Sequence, residues 1–209
     1  MKTIRQLGLL ITFSFAFTAA FAQDAGKVKM KLNYNVAIPV GSLKNDYVNK
    51  TSFRGVSGEI GYWFNPKFSL GLGVGFQSFY QKYDRQVYKL DNNQTISAVV
   101  SNTLEVMPVT INGTYVPLAG SGNLIQPYVS VGAGLNLINY RQYLGEFSDG
   151  DPSSGFTANA GAGVMIPVGR TKSSSFQLGA SYSVTPYNKN GLSSLNSIGV
   201  NAGIVFPLK

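Results

Sequence analysis

Apolar and polar residues alternate with a period of two along most of the chain after residue 23. No stretch of that region shows the three-to-four-residue spacing of an amphipathic helix. Period-two alternation places successive side chains on opposite faces of a strand. The pattern therefore predicts eight strands near Lys29–Ile38, Val56–Phe64, Phe68–Tyr80, Ser97–Tyr115, Val129–Leu137, Phe156–Ile166, Phe176–Val184 and Ile198–Phe206. The fourth alternates least cleanly, and Met107-Pro108 within it predicts a β-bulge.

The connections between these strands alternate in length. An even number of strands lets an antiparallel up-and-down sheet close into a barrel. Short turns at one end and long loops at the other are typical of outer-membrane barrels, whose long loops lie outside the cell. The predicted long loops are Gly41–Lys50, Asp84–Thr95, Arg141–Ser154 and Tyr187–Ser194, and the predicted turns are Asn65–Lys67, Pro117–Leu124 and Gly169–Ser175.

The composition of the two strand faces decides between a soluble and a membrane barrel. One face is apolar, and the other is rich in Gly, Ser and Asn, while only 12% of all residues are charged. A soluble carrier would expose the small polar face to water, whereas a membrane barrel turns it inward. We therefore expect an eight-stranded antiparallel transmembrane β-barrel. Trp63, Phe79 and Met165 should fill the space that inward glycines leave.

Aromatic residues gather near the predicted strand ends, as expected for amphipathic rings at two membrane interfaces. Ordinary β-propensity of aromatic residues is the simpler explanation when this feature is taken alone. One predicted girdle contains Tyr62, Phe64, Phe68, Tyr115, Phe176 and Phe206, and the other contains Tyr80, Tyr140, Phe156 and Tyr182.

The first 22 residues have the features of a secretory signal peptide. Lys2 and Arg5 precede the apolar stretch Leu7–Phe17, and Ala20-Phe21-Ala22 forms a small-x-small cleavage site. The apolar stretch is short for a transmembrane anchor, which is the alternative. We expect a signal peptide at residues 1–22 and one barrel domain at residues 23–209.

The composition excludes most site chemistry. The chain has no Cys and no His, so it lacks disulfides, thiol nucleophiles and the commonest general base and metal ligand. The glycine-rich stretches 71–75 and 161–163 lack the phosphate-binding fingerprint and no helix follows them. We expect no catalytic site, no cofactor and no metal. The basic residues are dispersed, which argues against nucleic acid and leaves lipopolysaccharide phosphates as the simpler anionic partner.

Three charged residues are candidates for a polar network in the lumen: Lys31, Glu59 and Glu105, all assigned to the polar face. Buried charges need partners, so pairing is the favoured explanation. A catalytic pair formed by the two carboxylates is the less favoured alternative.

Three cations near the predicted outer rim are candidates for lipopolysaccharide phosphate contacts: Lys50, Arg54 and Lys82. If the Asn65–Lys67 turn sets Phe64 opposite Phe68, then Lys50 lies opposite Lys82 and Arg54 lies opposite Ser78. Simple solvation of a strand end is an equally good explanation.

Several motifs resemble those of the small outer-membrane β-barrel proteins of Bacteroidetes-type bacteria, an OmpA-like or porin-like family. They are Ala20-Phe21-Ala22-Gln23, Gly61-Tyr62-Trp63-Phe64, Leu104-Glu105-Val106 with Pro108, Gln126–Val129 before Gly132-Ala133-Gly134, and the final strand ending at Gly203–Phe206. The resemblance implies outer-membrane lipids and the barrel-insertion machinery as partners. The chain continues past Phe206 to Lys209, whereas many such barrels end on the aromatic residue that the machinery recognises.

The role expected from these observations is structural, binding or assembly, with a filled lumen. A narrow channel or transporter for small or hydrophobic molecules is one alternative. An accessory subunit of an envelope secretion or assembly complex is another.

Overall fold

A closed antiparallel barrel of eight strands forms the body of the molecule. The computed structural model describes residues 26–89, 95–144, 147–169 and 173–208, so the predicted signal peptide lies outside the described residues. The barrel strands are β1 Lys27–Val40, β2 Ser52–Trp63, β3 Phe68–Lys82, β6 Val100–Tyr115, β7 Gln126–Leu144, β8 Phe147–Val168, β9 Ser174–Val184 and β12 Asn196–Pro207. Each pairs with the next, and β12 closes the barrel against β1. The predicted fold class is confirmed.

The two ends of the barrel differ. At the short-turn end, compact turns such as Asn65–Lys67 join the strands and both described chain ends emerge. At the long-loop end lie a π-helical turn and two small hairpins. These elements are the turn Leu43–Tyr47, the hairpin of β4 Gln86–Lys89 with β5 Thr95–Ala98, and the hairpin of β10 Pro186–Lys189 with β11 Leu192–Ser194. No helix in the described ranges is long and apolar enough to cross a membrane.

The prediction of a loop at Arg141–Ser154 is wrong. The β7–β8 ladder continues through it, with Arg141 opposite Gly150 and Gln142 opposite Asp149. Pairing between neighbouring strands satisfies the backbone here even where the side chains are polar, so polarity alone does not end a strand.

The predicted bulge at Met107-Pro108 is also wrong. Val74 faces Val109 and Gln77 faces Val106, so the β3–β6 register is the same on both sides. The register shifts in β2 instead: between the pairs Asn35–Gly55 and Ala37–Ser52, one residue of β1 faces two residues of β2.

The outward face of the barrel is apolar and exposed. On β3 the exposed side chains run from Phe68 to Phe76, and Leu72 at the centre of this stretch is 61% exposed. A tilted strand of about 9–11 residues spans a bilayer, so this nine-residue stretch matches the hydrocarbon thickness. Lys31 and Asn136 on the inward face are only 4% and 5% exposed. This distribution is the reverse of that in a soluble barrel and confirms the expected membrane polarity.

Aromatic rings lie on the outward face at both ends of the apolar stretch. At the short-turn end Phe68 stacks on Tyr115 with ring centroids 4.5 Å apart. Exposed rings at the other end include Tyr80, Phe156 and Tyr182. Tyr140 does not belong to this girdle, because it keeps the parity of the inward face and packs inside the barrel.

Candidate functional site: the barrel interior and its two ends

The long-loop end of the lumen is closed by six apolar or aromatic side chains from the connecting segments, which we call the plug. All six are at most 5% exposed. The plug consists of Leu43, Tyr47, Val48, Tyr187, Leu192 and Leu195. It packs on inward residues of the barrel wall that include Phe79, Leu104 and Ile138. Burial of each such side chain contributes about 1.5–3 kcal/mol, so the inward position of these loops is stabilised by the hydrophobic effect.

Two tight backbone turns direct these segments into the lumen. Gly41 has a φ of +64° just before the π-helical turn, a conformation that favours glycine. Asn190 and Gly191 have φ values of 53° and 75°, as a type I′ hairpin turn requires. Ser42 Oγ donates to the carbonyl of Ser194 at 2.8 Å and ties the two segments together.

Tyr47 is the most extensively bonded residue of the plug. Its hydroxyl donates to the carbonyl of Arg141 at 2.7 Å, and the carbonyl of Thr103 is an alternative acceptor 3.2 Å from the same oxygen. Its carbonyl accepts from Asn102 Nδ2 at 2.8 Å, and its ring stacks on Tyr140 at 4.5 Å. Burial, and then proximity to Tyr140, raise the pKa of the Tyr47 hydroxyl above its ordinary value. The phenol therefore stays protonated and keeps donating to the barrel wall.

The middle of the lumen contains an ion pair in a polar network of four residues, the lumen quartet. Lys31 and Glu59 face each other on β1 and β2, and Lys31 Nζ lies 2.7 Å from Glu59 Oε1. Lys31 Nζ also donates to Thr114 Oγ1 at 2.9 Å, and Asn112 Nδ2 donates to Glu59 Oε2 at 3.1 Å. The quartet therefore connects β1 and β2 with β6 across the inside of the barrel.

Glycines on the inward face provide the space for these groups. A Cβ at Gly71 would lie 2.8 Å from Glu59 Oε1, and one at Gly179 would overlap the Tyr128 hydroxyl. A side chain at either position would collide with its neighbour, so these positions require residues without a Cβ.

A cavity of about 230 Å³ lies between the plug and a second apolar cluster, the floor. Its walls are mainly Asn, Gln, Ser and Thr, together with the ion pair. The floor comprises Trp63, Val116, Tyr128 and Met165, each at most 5% exposed. A further cavity of about 300 Å³, the mouth cavity, opens below the floor at the short-turn end. The lumen is therefore a series of plug, polar cavity, floor and mouth cavity.

A family model described as outer membrane protein beta-barrel domain matches residues 8–206. The chain belongs to this family. It is an outer-membrane protein, as its outward apolar face requires. The narrower Bacteroidetes type remains a prediction.

Solved structures with the same fold support the assignment. Neisserial surface protein A aligns with a TM-score of 0.58 at 14% identity, over 88% of this chain and 100% of that one. The attachment invasion locus protein of Yersinia pestis aligns with a TM-score of 0.51 at 16% identity, over 88% of this chain and 100% of that one. OprG from Pseudomonas aeruginosa aligns with a TM-score of 0.51 at 13% identity, over 90% of this chain and 98% of that one. At these identities the likeness concerns the fold alone. Among curated proteins, the sequence has no match.

Glu105 does not lie in the lumen of this outer-membrane barrel, so its assignment to the inward polar face is wrong. Its neighbour Leu104 is fully buried and packs inward, which turns Glu105 outward. Glu105 lies opposite Ser78 and Asn139, two residues beyond the exposed Met107, and accepts from Asn139 Nδ2 at 3.1 Å. The carboxylate therefore sits at the outer edge of the apolar stretch, apart from Lys31 and Glu59.

The three predicted rim cations are all exposed at the long-loop end of the barrel. The Arg54 guanidinium lies over the ring of Tyr80, 5.7 Å from its centroid. The β2–β3 ladder has the predicted register but ends at Gly55, so the counted pairs of Lys50 with Lys82 and Arg54 with Ser78 lie beyond it. The structure thus places the three cations at one end of the barrel without a direct contact among them.

The strand pattern in the sequence does not predict the plug. Two signals were available: large apolar residues in otherwise polar loops, such as Leu43 and Leu192, and the dipeptide Asn190-Gly191. Asn-Gly between two short apolar segments is the strongest local indication of a hairpin. The floor was predicted in part, because Trp63 and Met165 were expected to point inward.

Proposed function

We propose that this protein is a non-conducting outer-membrane barrel that acts through its outward face and loops, as a structural or binding component. The observation that carries the proposal is the plug, which fills the long-loop end of the lumen with buried apolar side chains. The floor adds a second apolar barrier. Ions would have to cross both, and hydrophobic molecules would have to cross the polar cavity between them. The narrow channel and the hydrophobic conduit are therefore the weaker alternatives.

Conductance in planar lipid bilayers tests this proposal. The purified barrel, shown to be folded by a gel mobility that changes on boiling, should insert without producing discrete conductance steps. A conducting porin reconstituted in the same way is the positive control. Stepwise conductance that scales with the amount of this barrel would overturn the proposal.

The outer rim supports a more specific role in binding the lipid headgroup. Lys50, Arg54 and Lys82 are exposed beyond the apolar stretch, where lipopolysaccharide phosphates would lie. Cations there form charge-assisted hydrogen bonds with phosphate, and the Tyr80 ring supports the Arg54 guanidinium from one side. The opposing possibility is that all three are only solvated.

Native mass spectrometry of the barrel with added lipopolysaccharide separates these possibilities. Replacing Lys50, Arg54 and Lys82 together by Gln should reduce the lipid-bound fraction. Replacing Lys27 and Lys67 by Gln removes exposed positive charge at the short-turn end, away from these phosphates, and is the control. Equal lipid retention by both variants would show that the rim cations are only solvated.

Export and assembly complete the proposal. Signal cleavage after Ala22 predicts a mature protein that starts at Gln23, which N-terminal sequencing of the outer-membrane fraction checks.

An accessory role in a secretion or assembly complex predicts stoichiometric partners after purification in mild detergent, whereas a free barrel purifies alone.

A further inference from the structure

The mouth cavity combines one cation with the apolar side chains of the floor and the uncharged polar residues Asn123, Gln126 and Ser175. It lies at the short-turn end, has a volume of about 300 Å³, and is lined on its inner side by the floor residues Trp63 and Met165. This volume is about ten times that of one water molecule in the liquid, which is enough for a small organic molecule. The cavity belongs neither to the plug nor to the outward face, so a ligand bound in it would be independent of the proposed function.

Among the described residues, Lys29 is the only charged one that lines the mouth cavity. Its Nζ lies 4.7 Å from the centroid of the Trp63 ring. Within the described ranges no carboxylate pairs with Lys29, because Glu59 is engaged by Lys31. Lys27 lies opposite Trp63 and is exposed at the same end, so it adds a second positive charge at the entrance. The cavity is therefore electropositive.

Trp63 supplies a second, independent indication of a ligand. The residue is 5% exposed, and its indole Nε1 is buried without a hydrogen-bond partner among the described residues. A buried N–H without an acceptor is rare and costs about 1–3 kcal/mol. A group that satisfies this N–H next to an ammonium must offer lone pairs and suit a positive field, as an oxyanion does.

The remaining walls determine the kind of anion. Val116, Met165 and Val205 line the cavity and are all at most 4% exposed. One ammonium cannot neutralise a multiply charged phosphate, and the apolar side chains on the floor side of the cavity favour an apolar body over a hydrated inorganic ion. We propose that the mouth cavity binds a small organic monocarboxylate, with its carboxylate at Lys29 and the Trp63 indole N–H and its apolar part against the floor.

Trp63 is the only tryptophan in the chain, so its indole gives a single ¹H–¹⁵N resonance that reports on this cavity. Butyrate added to the ¹⁵N-labelled, folded barrel in micelles should shift that resonance saturably. Butanol, which has the same apolar part without the charge, should produce no saturable shift. Inorganic phosphate should bind more weakly than butyrate.

Lys29→Met and Lys29→Gln should each weaken butyrate binding by about ten-fold or more, since each removes a charged hydrogen-bond donor. Lys67→Met removes an exposed lysine at the same end and should leave binding unchanged. A parent protein that shows no saturable butyrate shift, or that responds equally to butyrate and butanol, would overturn the proposal. Unchanged affinity in both Lys29 variants would overturn it as well, as would phosphate binding as tight as that of butyrate.

Discussion

The ion pair in the lumen quartet makes a quantitative prediction about stability. Glu59→Gln removes the negative charge but keeps the shape of the side chain and an oxygen that can accept from Asn112. Lys31 is 4% exposed, so in this variant its ammonium is buried without a counter-charge. Breaking a buried pair on one side costs about 3–5 kcal/mol, and we expect about 3 kcal/mol because the amide oxygen still accepts hydrogen bonds.

The double variant Lys31→Met with Glu59→Gln removes both charges and should be within about 1 kcal/mol of the parent, because no unpaired charge remains. Glu105→Gln is the matched control for the carboxylate. It lies at the outer rim, accepts from Asn139 rather than from a lysine, and should change the free energy of unfolding by less than about 1 kcal/mol.

Urea titration of each folded variant in lipid vesicles measures these differences, with the heat-sensitive gel mobility and the single tryptophan as two probes. The parent, Glu105→Gln and the double variant should have similar urea midpoints of unfolding. The midpoint of Glu59→Gln should be well below these three. Equal midpoints for Glu59→Gln and Glu105→Gln would refute the idea that the lumen pair is energetically special.

Three further predictions concern the wall, the bilayer face and the plug. Gly179→Ala should cost about 1–3 kcal/mol, because its Cβ would overlap a buried tyrosine hydroxyl, whereas Gly58→Ala makes only ordinary contacts and should be near neutral in the same titration. Leu72→Arg in the middle of the apolar stretch should cost about 2–4 kcal/mol and Tyr80→Arg at the rim about 0–1 kcal/mol; similar costs for the two would contradict the position assigned to the bilayer. Since burial raises the pKa of Tyr47 above its ordinary 10.0, its stabilisation is complete below pH 10 and is lost at higher pH, so unfolding measured from pH 8 to 11 should show a decline that Tyr47→Phe reduces.

The alternation of residue types was sufficient to predict the strands of the barrel and the solvent around it. Period two assigns alternate side chains to opposite faces whatever the rest of the molecule does, so strands such as Phe68–Tyr80 were predicted nearly to their ends. The lumen ion pair could also be predicted from the sequence, because Lys31 and Glu59 share one face on neighbouring strands and buried charges require partners. The lengths of β7 and β8 could not be predicted as well from the sequence, because pairing across the ladder continues through polar residues.

The interior near the long-loop end depended on the tertiary structure. The composition of the two faces predicts polar inward residues, but the inward residues that the plug packs on are apolar at Leu104 and Val106. The alternation there assigns Glu105 to the wrong face for this reason. The plug forms only when loops far apart in sequence, such as those holding Tyr47 and Leu192, meet over the same wall. Alternation within a strand determines which side chains share a face, whereas what those faces meet is decided by contacts between distant segments, which no local pattern records.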